Sequence, residues 1–261
     1  MATNVDEELG ELIAKAAKLL TKSHWACALT GAGISVDSGI PDFRSPGGLW
    51  ERFDPFEYAH IESFKQNPEK VWQMIREMSS LVRNAKPNPA HIALAELEQL
   101  GLLKVVITQN IDNLHQKAGS KNVIEYHGNG EYLVCPRCNK RYSAQEAEAK
   151  GKIPPKCDDC GIILKPDVVL FGEAIPFSAL IESQHHAQEC DVMLVVGTSG
   201  LVQPAASLPY IAKNTGSTII EVNTRPTVLT GSEVDIHLSG SSSIILPLLV
   251  EGVKKELKES G

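Results

Sequence analysis

Two pairs of cysteines have the spacing that is most informative about chemistry in this chain. One pair is Cys135 and Cys138, the other is Cys157 and Cys160, and 18 residues separate the two pairs. Four thiolates in this pattern can surround one tetrahedral zinc ion, and Gly161 after the second pair suits the tight turn that is needed. Two disulfides or two redox-active pairs are the alternative interpretations. Because a four-sulfur site leaves no position for water, we expect one structural zinc ion and catalysis elsewhere.

Composition and charge narrow the class of protein. The chain has 261 residues, of which 43% are hydrophobic, so it can bury a full core. Its net charge of −7 argues against a general nucleic-acid or anionic-membrane binder. Residues 1–11 are polar and acidic, unlike a signal or transit peptide, and no apolar run approaches the roughly 18 residues that span a bilayer. We expect a cytoplasmic protein with Cys27 and Cys190 as buried free thiols, and a monomer because no coiled-coil heptads are visible.

Short apolar runs alternate with helical patterns along most of the chain. This alternation predicts an α/β fold with a Rossmann-like, doubly wound parallel sheet. The strands, each expected to be buried on both faces, lie near 24–29, 105–107, 123–124, 168–170, 193–196 and 219–220. The helices are expected over 9–20, over 69–83, from Asn88 as cap with Pro89 at the first helical position, over 204–213 and over 246–257.

Two segments interrupt this alternation. Residues 128–165 carry the four cysteines, and we interpret them as a small inserted zinc-binding module. Residues 41–87 are aromatic-rich and helical, and they form a second insertion. The remaining segments, 1–40, 88–127 and 166–261, are then the Rossmann-like domain.

Glycine-rich and polar motifs follow several of the predicted strands. The turn Gly31-Ala32-Gly33 lets a backbone approach a dinucleotide pyrophosphate, although Val36 occupies the place of a third glycine. Such a turn by itself is often merely structural. The carboxyl ends of parallel strands meet at one edge of the sheet, where open α/β sheets bind their ligands. The other motifs at predicted strand ends are Gln109-Asn110-Ile111-Asp112, His127-Gly128, Gly197-Thr198-Ser199 and Val222-Asn223-Thr224.

Together and in this order, the motifs resemble those of the sirtuins, the NAD-dependent protein lysine deacylases. The resemblance covers residues 14–253 and includes the block from Gly31 to Ser45 and the four cysteines. It implies that NAD and an acyl-lysine peptide meet in a cleft between the Rossmann-like domain and the zinc-binding module. The implied reaction consumes NAD and yields nicotinamide, the free lysine and an O-acyl-ADP-ribose.

The resemblance gives His127 the role of general base, which activates a ribose hydroxyl. An imidazole with a pKa of about 6.5 accepts a proton at neutral pH, and such a base contributes about 10²–10⁴-fold. Gln109, Asn110 and Asp112 are implied to hold the nicotinamide ribose and carboxamide, with Asn110 also a catalytic residue. A surface or core histidine, and a polar strand end with its turn, are the simpler interpretations.

The resemblance also implies a cofactor-binding loop within the 41–87 insertion. There Phe43 would shield the reactive ribose and Arg44 would assist the phosphates, whereas Phe43 could also be an ordinary core residue. The complete set of implied cofactor-binding residues is Gly31, Ala32, Gly33, Asp42, Phe43, Arg44, Trp50, Gln109, Asn110, Ile111, Asp112, Gly197, Thr198, Ser199, Asn223, Thr224, Arg225 and Ser242.

The segment from Val168 to Glu173 resembles the part of the family that pairs with the bound peptide as an added strand. Backbone pairing of this kind provides affinity with little readout of sequence. A core strand followed by a turn is the alternative, and both interpretations are compatible. The implied substrate-binding residues are Val168, Val169, Phe171, Gly172 and Glu173.

One departure from a branch of the family concerns the acyl group. Sirtuins that prefer succinyl or malonyl groups carry a Tyr and an Arg three residues apart, at positions that correspond to Ile75 and Met78. Two apolar side chains cannot neutralise a buried carboxylate, so neutral acyl groups are favoured. A register shift that brought Arg76 to the pocket would reverse this expectation.

Three functions fit these observations. The first is a deacetylase or neutral deacylase acting on acetyl-lysine proteins or peptides, with NAD as co-substrate. The second is a mono-ADP-ribosyltransferase that uses the same cofactor cleft. The third is a catalytically silent NAD- or ADP-ribose-binding module, or a zinc-ribbon interaction protein. Intact Asn110, Asp112 and His127 argue against silence, and the absence of basic clusters argues against nucleic-acid binding.

Overall fold

A computed structural model describes residues 2–149, 151 and 153–260. The first and last residues of the predicted Rossmann-like domain, and positions 150 and 152 of the predicted zinc-binding module, lie outside the described residues. The strands are β1 (Ala26–Thr30), β2 (Leu103–Thr108), β3 (Val123–Glu125), β4 (Gly128–Val134), β5 (Arg141–Ser143), β6 (Lys165–Val168), β7 (Val192–Val196), β8 (Thr218–Asn223) and β9 (Ile236–Ser239). The α-helices are α1 (Ala2–Lys22), α2 (Pro55–Tyr58), α3 (Ile61–Gln66), α4 (Pro68–Asn84), α5 (Pro89–Gln99), α6 (Leu114–Ala118), α7 (Ala144–Ala149), α8 (Phe177–Glu189), α9 (Leu208–Asn214) and α10 (Ser242–Ser260).

Six strands form a parallel sheet in the order β3-β2-β1-β7-β8-β9. The central strands β1 and β7 are buried along their whole length, as expected for apolar strands that face helices on both sides. They pair with each other, and the chain proceeds outward from β1 in one direction and from β7 in the other. The loops after these two strands therefore face each other at the switch point where such sheets bind ligands. The predicted doubly wound sheet is confirmed.

Helices cover both faces of this sheet. Helices α1, α5 and α10 pack on one face, around a core that includes Leu94 and Leu249. Helices α8 and α9 pack on the other, around a core that includes Met193 and Leu208. At the start of α5, the Asn88 side chain donates to the Ile34 carbonyl at 2.7 Å. This bond ties the helix start to the turn after β1.

A smaller antiparallel sheet has the order β5-β4-β6. The apolar run 168–170 was expected to be a doubly buried strand of the parallel sheet, and this is wrong. Strand β6 ends at Val168 and pairs with β4 in the small sheet, while Val168 and Val169 are only half-buried. An apolar run does not reveal its partner strand, because the partner is chosen by tertiary contacts.

The helical insertion and the cysteine-bearing segment share one apolar core. Trp72 of α4 is 1% exposed and packs with residues of both segments, including Leu133 and Cys157. Its indole Nε1 donates to the Leu164 carbonyl at 2.9 Å. The two insertions therefore stabilise each other.

Two helices differ from their expected bounds. The last helix begins at Ser242 and not near 246, so Pro247 lies inside it. Proline has no backbone N–H to donate, but the preceding turn still forms. The helix expected over 204–213 is a 3₁₀ turn, Ala205–Ser207, followed by α9.

Candidate active site

One cleft of about 690 Å³ lies over the carboxyl ends of the parallel strands. Every residue that the sequence assigned to catalysis, to the cofactor or to the substrate peptide lines this cleft. A larger cavity of about 1170 Å³ adjoins it and shares Val168, Val169 and Gly172. Neither the glycine turn nor His127 lines that cavity, so the 690 Å³ cleft is the candidate site.

The glycine turn after β1 is in close contact with the turn after β7. The Gly33 N–H donates to the Gly197 carbonyl at 2.8 Å. A Cβ at Gly33 would lie 2.7 Å from that oxygen, and one at Gly31 would lie 2.8 Å from the Thr198 Cβ. Both positions therefore require glycine for the two turns to meet. A 3₁₀ helix, Ala32–Ser38, follows in place of the usual α-helix of a dinucleotide turn.

Asn110 and Asp112, which follow β2, are held by Ser35 of this 3₁₀ helix. The Ser35 hydroxyl donates to the Asp112 carboxylate at 2.7 Å. The Asn110 amide donates to Ser35 Oγ and to the Gly31 carbonyl, both at 3.1 Å. With its N–H groups engaged inside the protein, Asn110 keeps its carbonyl oxygen available to the cleft.

A buried histidine lies behind this cluster. His91 Nδ1 accepts from the Asn88 N–H at 3.3 Å, so the neutral ring carries its proton on Nε2, which lies 3.5 Å from Ser35 Oγ. Burial lowers the pKa of His91 to about 4 and that of the neighbouring His115 to about 3. Both rings are thus neutral near pH 7, and His91 supports the Ser35 hydroxyl that holds Asp112.

His127, which follows β3, has one ring nitrogen that can accept a proton. Its Nδ1 lies 3.0 Å from the Gln109 carbonyl oxygen. A carbonyl only accepts, so Nδ1 carries the proton and Nε2 is the unprotonated, basic nitrogen. Burial lowers the pKa of His127, and the bond to Gln109 opposes this in part. The ring is therefore held as a neutral base near pH 7.

Thr198, which follows β7, is bonded to the ends of two other strands, the adjacent β8 and β2, which lies beyond β1. The Gln109 side chain donates to Thr198 Oγ1 at 3.0 Å, and the Asn223 side chain donates to the Thr198 carbonyl at 3.0 Å. The ends of β2, β7 and β8 are fixed to one another by these bonds, which makes the floor of the cleft rigid.

Ser242 is buried at the first residue of α10. The hydroxyls of its neighbours Ser241 and Ser243 both donate to the Asp37 carboxylate, and these bonds lower the pKa of Asp37. The start of α10 is thus fastened to the 3₁₀ helix after the glycine turn.

Three aromatic rings border the cleft, two from the predicted cofactor-binding loop and one from the segment after β6. The rings of Phe43 and Trp50 have centroids 4.9 Å apart, and Phe171 lies 6.2 Å beyond Trp50. The Asp42 carboxylate accepts from two backbone N–H groups, those of Arg44 at 2.9 Å and Ser45 at 2.7 Å. Both bonds are accepted by Oδ1 of Asp42, so this oxygen stabilises the turn of the loop that carries Asp42.

The segment after β6 is anchored on both sides. The Val169 N–H donates to the carbonyl of His127 at 2.9 Å, next to the candidate base. The Glu173 carboxylate accepts from Lys165 Nζ at 2.9 Å and from the Leu170 N–H at 2.8 Å. Glu173 thus holds the turn in shape through one carboxylate oxygen, Oε2, which accepts both bonds.

The four cysteine sulfurs lie within 4.8 Å of one another. The Sγ atoms of Cys138 and Cys157 are 3.7 Å apart, close to the separation of about 3.8 Å that four Zn–S bonds of about 2.3 Å require. The Tyr142 hydroxyl accepts from the Asp158 N–H at 3.1 Å and lies 3.2 Å from Cys157 Sγ. Its hydrogen bond to the sulfur lowers the pKa of Cys157 to about 6, whereas the hydrogen bond with Cys138 raises the pKa of Cys160 to about 12. Cys157 is therefore the one of these two sulfurs that is more readily the thiolate that zinc binds. The cluster fits a tetrahedral zinc ion.

Comparison with known proteins agrees with this geometry. The family model described as the Sir2 family matches residues 31–204. The chain belongs to the Sir2 family. The NAD-dependent protein deacylase of Pyrococcus furiosus is 46% identical to it, over 94% of this chain and 99% of the relative.

Solved Sir2 structures match the whole architecture. One, bound to a myristoylated histone peptide, has a TM-score of 0.81 and 42% identity, and the match covers 95% of this chain and 99% of that one. Another, with a deacetylated p53 peptide and 3′-O-acetyl-ADP-ribose, has a TM-score of 0.86 and 39% identity, and covers 90% and 96%. The resemblance to sirtuins that the motifs indicated is confirmed.

In this Sir2 chain, helix α4 forms an apolar wall of the cleft. Ile75 and Met78 line it, whereas Arg76 is exposed and does not. The cleft continues past these residues to Val82 and to Ala144 of α7. The wall is therefore apolar at Ile75 and Met78, as expected from the sequence. Farther along, Glu148 of α7 also lines the cleft, and its carboxylate pairs with Arg83.

Several residues of the Sir2 site were not singled out by sequence reasoning. Ser35 lies inside the glycine-turn block, and His91 lies three residues after the helix cap Asn88. That spacing is the one available signal, because the side chain three residues after a cap often reaches back to it. Nothing in the sequence indicated that this histidine also reaches Ser35.

Proposed function

We propose that this Sir2 protein is an NAD-dependent protein lysine deacetylase that also accepts other neutral acyl groups. The environment of His127 carries the proposal. Its Nδ1 proton is committed to the Gln109 carbonyl, so the basic Nε2 is the nitrogen available for proton transfer. His127 lines the same cleft as Asn110, Asp112 and the glycine turn.

The residues of the cleft fit NAD. Gly31 and Gly33 let the turns after β1 and β7 meet at the switch point of the sheet, which is where sheets of this kind bind a pyrophosphate. Asn110 and His127 lie to the β2–β3 side of that point, and Asn223 lies to the β8 side. We therefore assign the nicotinamide ribose to the β2–β3 side and the adenosine to the β8–β9 side. When bound, NAD supplies the ribose carbon that loses nicotinamide and accepts the acyl oxygen.

The protein residues then have separate tasks. Nε2 of His127 removes a proton from a ribose hydroxyl, which makes that oxygen a nucleophile. Ser35 and His91 hold Asp112 and Asn110 in place for the cofactor. Phe43 and Trp50 exclude water from the reacting groups.

The substrate side is the segment from Val168 to Glu173. Its anchoring to His127 and Lys165 gives an extended peptide a fixed edge to pair with, next to the base. An acyl-lysine threading past this edge would reach the apolar wall at Ile75 and Met78. The structures of Sir2 proteins with a myristoylated histone peptide and with a deacetylated p53 peptide support this class of substrate.

The test is incubation of the purified protein with NAD and an acetyl-lysine peptide, followed by mass analysis. We expect nicotinamide, free-lysine peptide and O-acetyl-ADP-ribose in equal amounts, and no peptide product without NAD. An ADP-ribosylated peptide with the acetyl group retained would favour the ADP-ribosyltransferase. Binding of ADP-ribose without turnover would favour a silent module.

We also propose a reducing compartment, the cytoplasm, as the place of action. All six cysteines are free thiols, and four of them form the cluster that fits zinc. Within the residues that the structure describes, no helix is both long and apolar enough to cross a membrane. The monomeric state and the absence of nucleic-acid partners stay predictions.

A further inference from the structure

Glu221 is a fully buried carboxylate in the middle of β8. In the register of the sheet, Glu221 lies opposite Val195 of β7 on one side and opposite His237 of β9 on the other. Because side chains alternate along a strand, Glu221 faces the same apolar layer as Ile219. An ionised carboxylate in such a layer is costly unless hydrogen-bond donors surround it.

The donors come mainly from the segment that leaves β8. The hydroxyls of Thr227 and Thr230 each donate to Glu221 at 2.5 Å, and His237 Nδ1 lies 3.0 Å from it. Thr227 Oγ1 accepts from the Leu229 N–H at 3.2 Å, and Thr230 Oγ1 accepts from the Thr227 N–H at 2.7 Å. The segment 227–230 is therefore folded around the carboxylate, with Leu229 buried beside it.

The same segment forms a wall of the cleft. Thr224, Arg225, Pro226 and Thr227 line it, directly after Asn223. Thr227 is thus shared by the cleft and by the buried carboxylate. From this geometry we propose that Glu221 is a positioning residue that holds residues 224–227 as the wall of the adenosine end of the cofactor cleft.

The proposal rests on NAD being the cofactor, and it concerns one end of that cofactor. The strand order places this wall beside β8, on the far side of the switch point from His127. Loss of the carboxylate should therefore weaken binding of the ADP-ribose portion and leave the peptide side unaffected. A carboxylate with only a structural role would change stability without this selectivity.

The experiment measures ADP-ribose affinity by calorimetry, together with KM for NAD and for an acetyl-lysine peptide. We expect Glu221→Gln and Thr227→Val each to weaken ADP-ribose binding about tenfold and to raise KM for NAD similarly, since each leaves a buried polar group without its partner. KM for the peptide should stay within about twofold of wild type. Thr227→Ser keeps the hydroxyl and should restore the affinity.

Asp235→Asn is the matched control. Asp235 lies at the far end of the same connection, where it accepts from the Ile219 N–H at 2.8 Å and pairs with Lys213, and it does not line the cleft. This variant should lower the melting temperature while keeping wild-type ADP-ribose affinity.

Two results would overturn the proposal: folded Thr227→Val protein with wild-type ADP-ribose affinity, or equal losses in Asp235→Asn. Failure of the wild-type protein to bind ADP-ribose at all would instead overturn the proposed cofactor.

Discussion

The zinc-binding cluster and the catalytic cleft are built in opposite ways. The four cysteines lie within one stretch of chain from Cys135 to Cys160, where two local turns bring the sulfurs together. The cleft collects residues from Gly31 to Ser242, which only the strand order brings to one edge. The first site depends on local turns and a metal, and the second depends on the whole sheet. Removing a single group should therefore have different consequences in each.

The two sites are nevertheless connected through packing. Cys157 lies in the same apolar core as Trp72 of α4, and α4 also supplies the wall with Ile75 and Met78. Loss of zinc should disturb the acyl pocket although no cysteine lines it. We therefore expect loss of a zinc ligand to affect folding and activity together, and loss of a catalytic side chain of the cleft to affect activity alone.

The largest effect is expected for Cys157→Ser. Zinc sites in small modules contribute apparent binding free energies of about 10–16 kcal/mol, so its loss should unfold the small sheet and abolish activity. Metal analysis of wild-type protein should find about one zinc per chain, as a four-thiolate site implies. Prolonged chelation should reproduce the mutant's lower melting temperature.

Cys190→Ser is the matched control for this change. Cys190 is buried next to Ser217 and outside the cluster, and its thiol lies 3.4 Å from the Ala187 carbonyl, a contact that a serine hydroxyl can replace. Zinc content and activity should be retained. If zinc-free wild-type protein kept its melting temperature and full activity, the structural role of the cluster would be wrong.

The next largest effect is expected for His127→Ala, which should reduce deacetylation at least about a hundredfold because a proton-transfer step is lost. Folding and ADP-ribose affinity should stay near wild type, in contrast to Cys157→Ser. Circular dichroism and calorimetry would check this. His24→Ala, at an exposed position outside the cleft, should leave activity unchanged. Normal turnover by the His127→Ala variant would show that His127 is not the general base.

The same contrast explains what the sequence could predict. The cysteine ligands follow from spacing, because a C-x2-C turn determines its own geometry. Motifs such as Gln109–Asp112 could be placed at one edge, because polar residues after buried strands share that edge. The contact of His91 with Ser35 could not be predicted, since it depends on the packing of α5 against the turn after β1. The strand β6 was assigned to the wrong sheet for the same reason.

A smaller effect is expected on the preference for one acyl group over another. This preference depends on the α4 wall, where the zinc-binding region packs against the cleft. We expect butyryl-lysine peptide to be processed faster than succinyl-lysine peptide, which has a similar length but carries a carboxylate. Burying that charge beside Ile75 and Met78 should cost several kcal/mol, and about 1.4 kcal/mol is tenfold in rate. The check is kcat/KM at saturating NAD.

The variant Ile75→Tyr with Met78→Arg should narrow or reverse this preference, because it supplies a hydroxyl and a cation to the pocket. If wild-type protein processed succinyl peptide as fast as butyryl peptide, the charge would be met by another residue and the assignment of the acyl pocket would be wrong.

The smallest effect is a shift in pH dependence. His127 must be neutral to accept a proton, so activity falls as the pH drops through its pKa. Burial lowers that pKa from 6.5, which places the midpoint of the acid limb of kcat/KM below pH 6.5.

Acid also lowers stability, and the two effects can be separated. The pKa of His91 is lowered to about 4 and that of His115 to about 3, whereas an unfolded histidine titrates near 6.5. The unfolded chain then binds more protons below pH 6.5, so stability falls as the pH decreases from there toward 4 and 3. The rate profile should therefore be measured alongside a melting temperature at each pH. A midpoint at or above 6.5 in protein that is still folded would show that the buried imidazole of His127 is not the titrating base.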